Sequence, residues 1–186
     1  MQTLPAEIFK AYDIRGIVDK SLTAEVVYRI GQALGSLAIE QGQTAIAVGR
    51  DGRLSGPTLA GALMDGICAA GCDAIDVGCV PTPVTYFAAY ELGCHSCVSV
   101  TGSHNPPDYN GLKMVIGGTT LALDALDVAP ALHLRQDPVG CRTSRSFHEP
   151  LKTMIRMGTA RVASTLVRSP QDWSRCHRRH LDRGLV

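Results

Sequence analysis

Thr44-Ala45-Ile46-Ala47-Val48-Gly49-Arg50-Asp51-Gly52-Arg53-Leu54-Ser55-Gly56-Pro57 passes from an apolar run through a polar loop into a helix start. The short run Ala45–Val48, closed by Gly49, has the length and bounds of a buried strand. Pro57 suits a first helical turn, where its missing N–H costs nothing. From Pro57 to Ala70 the residues Leu59, Leu63 and Ile67 share one helical face, and Gly71 ends the helix. A strand follows over Asp73–Gly78. After Val80-Pro81-Thr82-Pro83 a third helix is predicted over Val84–Leu92, stopped at Gly93, and a further strand over His95–Thr101. Upstream, Leu22, Val26, Ile30, Leu34 and Leu37 predict a helix from Leu22 to Gln41, with Ser21 or Thr23 as N-cap and Gly42 as its stop. Ile8–Gly16 reads as a short strand ending in a glycine turn. Strands and helices alternating in this way predict an α/β sandwich with a largely parallel sheet. Functional loops of such sheets gather beyond the carboxyl ends of strands.

The chain has 186 residues, 45% apolar and 19% charged, as is ordinary for a globular protein. No run of about 18 apolar residues is present, and the N-terminus lacks the basic and apolar regions of a signal peptide, so a cytoplasmic location without a membrane partner is expected. Seven cysteines without an export signal argue against a disulfide framework. Cys94-His95-Ser96-Cys97 has redox or zinc spacing, yet no second pair answers it, and Cys97 opens an apolar strand. Cys97 is read as a small hydrophobe, and the pair as structural. The net charge of +1 conceals a split: residues 1–118 hold seven Lys/Arg against eleven Asp/Glu, and residues 119–186 hold eleven against six.

A second loop carries the chemistry. Thr101-Gly102-Ser103-His104-Asn105-Pro106-Pro107-Asp108-Tyr109-Asn110-Gly111-Leu112-Lys113 lies between the apolar runs Cys97–Val100 and Met114–Ile116. A polar loop between strands is a rigid mount for a reactive group. A bare serine needs activation. His104 is adjacent, but neighbours on an extended segment point opposite ways, which favours a positioning role over that of a triad base. The second glycine of G-x-S-x-G is missing, so a hydrolase elbow is not expected. Asn105 before Pro106 is restricted to extended geometry. Asn110-Gly111 predicts a turn that returns Lys113 towards Ser103. In the first loop, Arg50 and Arg53 either hold phosphate or brace a carboxylate such as Asp51.

The Ser103 loop resembles the active-site serine loop of the α-D-phosphohexomutases, the phosphomannomutase/phosphoglucomutase superfamily. Phe9-Lys10-Ala11-Tyr12-Asp13-Ile14-Arg15-Gly16 and Gly49–Pro57 resemble that family too, in the same order, and the likeness covers about residues 8–121. Within it, the first motif and Asp108-Tyr109-Asn110-Gly111 resemble the bacterial phosphomannomutase/phosphoglucomutase branch. The resemblance implies a three-layer α/β/α sandwich with a mostly parallel mixed sheet, followed by an irregular tail. It implies an isomerase that moves a phosphoryl group between C1 and C6 of a mannose or glucose phosphate through a hexose 1,6-bisphosphate. Ser103 is then the phosphoserine, and Mg2+ touches its phosphate. His104 and Asn105 border that serine, Lys113 assists proton transfer, Tyr12 and Arg15 line the site, and Arg50 and Arg53 give structural support.

The family's metal-binding D-G-D-x-D-R loop belongs to a later domain and has no match here, so this chain alone is expected to be inactive. The domain is expected over residues 1–134. Residues 135–186 are expected to be a basic tail, out of frame or disordered. Read one nucleotide later, Gln171–Arg178 can encode a strand like the one opening the family's second domain. The alternative is a non-catalytic phosphosugar- or polyanion-binding module with a basic arm, although a nucleic-acid partner is not expected.

Overall fold

The computed structural model describes residues 4–121 and, as backbone, Arg145–Ser146. The expected boundary at residue 134 and nearly all of the expected tail lie outside the described residues. The strands are β1 (Ile14–Ile17), β2 (Ala45–Arg50), β3 (Asp73–Cys79), β4 (Cys97–Val100), β5 (Tyr109–Ile116), β6 (Thr119–Thr120) and β7 (Arg145–Ser146). The helices are α1 (Ala24–Glu40), α2 (Gly56–Ala69) and α3 (Thr82–Glu91). The sheet order is β1-β5-β4-β2-β3-β7, with β6 beside β5. Strands β4, β2, β3 and β7 are parallel, while β5 is antiparallel to both β4 and β1. This is the mixed, mostly parallel sheet that was expected.

The connection β2-α2-β3 steps one way along the sheet, and β3-α3-β4 steps back across β2. Right-handed crossovers therefore put α2 and α3 on opposite faces. Alternation along β2 agrees with this. Ile46 and Val48 join the core with Leu59, Leu63 and Ile67 of α2, whereas a Cβ on Gly49 would run into Thr85 of α3. Three layers result, with the larger core under α1 and α2.

Helix α1 starts at Thr23, whose Oγ1 accepts the Val26 N–H at 3.2 Å. Its buried stripe is Val27, Ile30, Gly31, Leu34, Gly35 and Ala38. This is turned by about one residue from the expected Val26–Leu37 stripe, because the glycines let α2 approach. A Cβ on Gly31 would strike the Leu63 carbonyl, one on Gly35 would lie 2.8 Å from the Ile67 carbonyl, and one on Gly66 would strike the Tyr28 carbonyl. Backbone meets backbone where the helices cross.

Two expectations are corrected. Ile8–Gly16 is not one strand: Ala6–Ile8 is a 3-10 turn, Phe9 makes an isolated bridge to Ile14, and β1 runs on through Gly16 to Ile17. Asn110-Gly111 is not a turn but lies inside β5, with Asn110 opposite Gly16 and Gly111 opposite Arg15. The return is made earlier, by Pro106–Asp108, where the Tyr109 N–H reaches the Pro106 carbonyl at 3.1 Å. Asn-Gly favours hairpins, but here strands on both sides of β5 claim its backbone. The buried Asn110 side chain is occupied as well, its amide donating to Ser55 Oγ at 2.9 Å and its Oδ1 accepting the Gly111 N–H.

Candidate active site at the carboxyl edge of the sheet

Strands β2 and β4 are neighbours and parallel, so the loops leaving them, residues 51–55 and 101–108, meet beyond one edge. Asp51 joins them. Its Oδ2 accepts the Thr101 hydroxyl at 2.9 Å and the Gly102 N–H at 3.0 Å, and its Oδ1 accepts the Arg53 N–H at 3.0 Å. Sequence reasoning gave Asp51 only as a partner for arginine and passed over Thr101. Their role arises from a strand pairing that no local pattern reveals.

Arg53 crosses to the second loop. Its Nη1 donates to the carbonyls of Pro106 at 2.5 Å and Tyr109 at 2.9 Å, and its Nη2 to those of Asn105 at 2.7 Å and Ser103 at 3.2 Å. Nε faces Asp51 Oδ2 at 3.5 Å. Gly102 lies against the guanidinium so closely that a Cβ would strike Nε and Cζ. Arg50 is less engaged, with one bond to the Asp51 carbonyl at 3.4 Å.

Ser103 is exposed and sits at φ 51, in the left-handed region that non-glycine residues seldom occupy. The strain is offset by the Thr101 hydroxyl, which accepts the Ser103 N–H at 3.0 Å. Because the segment turns here rather than running extended, the side chains of Ser103 and His104 do not diverge. Ser103 Oγ lies 3.3 Å from His104 Nδ1. The premise that separated them in the sequence reading therefore fails, and His104 can accept the serine proton when Nδ1 is unprotonated.

Asn105 is pinned by its own amide, which donates to the Gly102 carbonyl at 2.8 Å, and Arg15 donates to its Oδ1 at 3.4 Å. Arg15 also pairs with Asp13 at 2.6 Å, while Tyr12 is 73% exposed. Lys113 lies opposite Ser99 on β4. Its neighbours Leu112 and Met114 are core residues, so Lys113 faces the α3 side of the sheet, as does Arg15, which pairs with Gly111. Residues diagonal to one another across paired strands, as Arg15 and Lys113 are, lie about 7–8 Å apart. Lys113 has no hydrogen-bond or ion-pair partner among the described residues. It reaches this face through strand register, not through a turn at Asn110-Gly111.

Both residues of the C-x-x-C are buried, and Cys94 Sγ donates to the carbonyls of Ser96 at 3.4 Å and Ala89 at 3.5 Å. Burial first, and then the neighbouring Cys94, pushes the Cys97 thiol from 9.0 up to about 12. Such a thiol is neither a redox nucleophile nor a metal ligand at neutral pH. When unfolded, Cys97 loses its proton near 9, whereas the folded chain keeps it to about 12. The unfolded state binds fewer protons in that window, so stability falls as pH rises through it. Denaturant melts from pH 8 to 11 are expected to show the fall, and Cys97→Ala to remove part of it. Iodoacetamide at pH 8 is expected to modify exposed Cys79 and spare Cys97, as peptide mapping can read.

Comparison with known proteins gives the family. Residues 6–127 match the family described as phosphoglucomutase/phosphomannomutase, alpha/beta/alpha domain I. The chain belongs to that family. It is 59% identical over 120 residues to a phosphomannomutase/phosphoglucomutase of Pseudomonas aeruginosa, covering 64% of this chain and 26% of that one. It is 54% identical over 126 residues to a phosphoglucomutase of Neisseria meningitidis serogroup B, covering 68% and 27%. The crystal structure of a phosphoglucomutase/phosphomannomutase family protein from Burkholderia thailandensis superposes with a TM-score of 0.69 at 48% identity, over 77% of this chain and 33% of that one. The chain thus spans about a quarter of the length of these curated relatives. No helix among the described residues is long and apolar enough to cross a membrane.

Proposed function

We infer that this chain is the phosphoryl-carrying domain of a hexose-phosphate mutase. The observation that carries the reading is Ser103, exposed at the tip of a braced loop with Oγ 3.3 Å from His104 Nδ1. In the charging step, Ser103 Oγ attacks a phosphorus of a hexose 1,6-bisphosphate. The new Oγ–P bond forms as the sugar O–P bond breaks, the serine proton passes to His104, and Lys113 gives a proton to the sugar oxygen, which leaves as the hydroxyl of a hexose monophosphate. The reverse step donates the phosphoryl group to the other end of a mannose or glucose phosphate. Lys113 and Arg15 supply cationic groups on the same side of the sheet, where phosphoryl transfer needs its charge offset, and exposed Tyr12 supplies a hydroxyl. Asn105 fixes the loop beside the serine.

Mg2+ is the cofactor that family membership implies. Among the described residues no group of three or more His, Cys, Asp or Glu side chains is placed to hold a metal ion. The Ser103 phosphate would supply one magnesium ligand, and the complete cycle is not expected from these residues alone.

The test grafts residues 8–121 in place of the matching segment of the Pseudomonas aeruginosa relative. The graft is incubated with glucose 1,6-bisphosphate, and the phosphate is mapped by mass spectrometry. Phosphate on Ser103 is expected. An unlabelled Ser103 in a folded graft, beside a labelled parent, would overturn the reading.

A further inference from the structure

We propose that Arg53 is a positioning residue for Ser103: it sets the shape of the loop and takes no part in holding the substrate. This rests on the reading of Ser103 as the phosphoryl carrier. An arginine presents five N–H donors in a planar fork. Here the four Nη donors reach the carbonyls of Ser103, Asn105, Pro106 and Tyr109, and Nε is ion-paired with Asp51 Oδ2 at 3.5 Å. No Nη donor is left for a substrate phosphate, which decides between the two roles, phosphate ligand or brace, that the loop sequence leaves open for Arg53.

The four carbonyls come from a segment of seven residues and converge on one cation. Amide carbonyls repel one another in that arrangement, so the segment holds this shape only while the guanidinium is present. The Ser103 carbonyl is among the four, which ties the cation directly to the left-handed serine. Asp51 fixes the guanidinium from behind while holding Thr101 and Gly102 in front of it, and Gly102 leaves the space in which the plane lies. The bonds to charged nitrogen are stronger than neutral ones. A lysine cannot replace them, because its ammonium is a point donor with three N–H groups and cannot span four carbonyls.

Two measurements test the proposal. In this chain, Arg53→Lys is expected to speed amide exchange at Asn105 and Tyr109 about tenfold or more, while the amides of β2 and β4 keep their protection. In the graft described above, single-turnover phosphorylation of Ser103 by glucose 1,6-bisphosphate is expected to slow by about 10²-fold, the usual cost of a small misplacement. Its half-saturating concentration is expected to stay within about twofold. Arg53→Ala is expected to recover part of the rate with millimolar methylguanidinium, an effect that loss of general stability would not produce. An Arg53→Lys variant with wild-type exchange and rate sinks the proposal, as does one whose defect lies in half-saturation alone. If unsubstituted Ser103 takes no phosphate, the functional reading fails, and the exchange measurement still decides whether Arg53 shapes the loop. Should Arg53→Lys lose its helical circular dichroism, Asp51→Asn, which keeps the four carbonyl bonds of Arg53 but weakens the contacts of Asp51 with Nε, Thr101 and Gly102, is expected to show both defects in milder form; wild-type behaviour there sinks the proposal.

Discussion

Ser103→Ala, placed in the graft of residues 8–121, is expected to reduce phosphate incorporation from glucose 1,6-bisphosphate by about 10³-fold or more, the scale seen when a nucleophile is deleted. The fold should survive the change. Ser103 is exposed, and its hydroxyl hydrogen-bonds only His104 among the described residues. The N–H bond to Thr101 belongs to the backbone and remains. Alanine at φ 51 is somewhat less comfortable than serine, so a stability loss within about 1 kcal/mol is expected. His104→Ala keeps the acceptor and removes the nearest base. It is expected to slow the step by about 10²-fold without moving the phosphate. Labelling of Ser103→Ala at the parental rate would shift the acceptor to another hydroxyl and end the reading given above.

The second large effect is on stability. Gly66→Val in α2 is expected to cost about 3 kcal/mol or more, because its branched Cβ must occupy the position of the Tyr28 carbonyl of α1. Backbone on both sides cannot yield as a flexible side chain would, so the helices must separate and the core beneath them loosens. The melting temperature is expected to fall by about 10–20 °C. Gly61→Ala, in the same helix with open space around its Cβ, is expected to raise stability by about 0.5–1 kcal/mol. Equal and small effects at the two positions would mean that α1 and α2 do not meet as described.

Much of this architecture could be read from local pattern. Apolar runs marked β2, β3 and β4, helical spacing and glycine stops marked the helices, and Pro57 marked the start of α2. The Ser103 loop was legible because serine, histidine and a proline pair coincide between strands. What local pattern missed was set by partners distant in the chain. Asn110-Gly111 looks like a turn until β1 and β4 pair on either side of it. The stripe of α1 is rotated because Gly31 and Gly35 face a helix, a fact invisible within α1 itself. Arg53 stays open between phosphate ligand and carboxylate brace because nothing in its neighbourhood announces four carbonyls some fifty residues ahead.

That separation has a consequence for how the protein is made. The shape of the Ser103 loop depends on contacts between residues 51–53 and 101–109, and closing so long a span costs entropy before any contact repays it. Ribosomal synthesis delivers Arg53 well before the loop it braces. A nascent chain released short of Tyr109 cannot complete the brace, so Ser103 gains its geometry only once the central strands have come together.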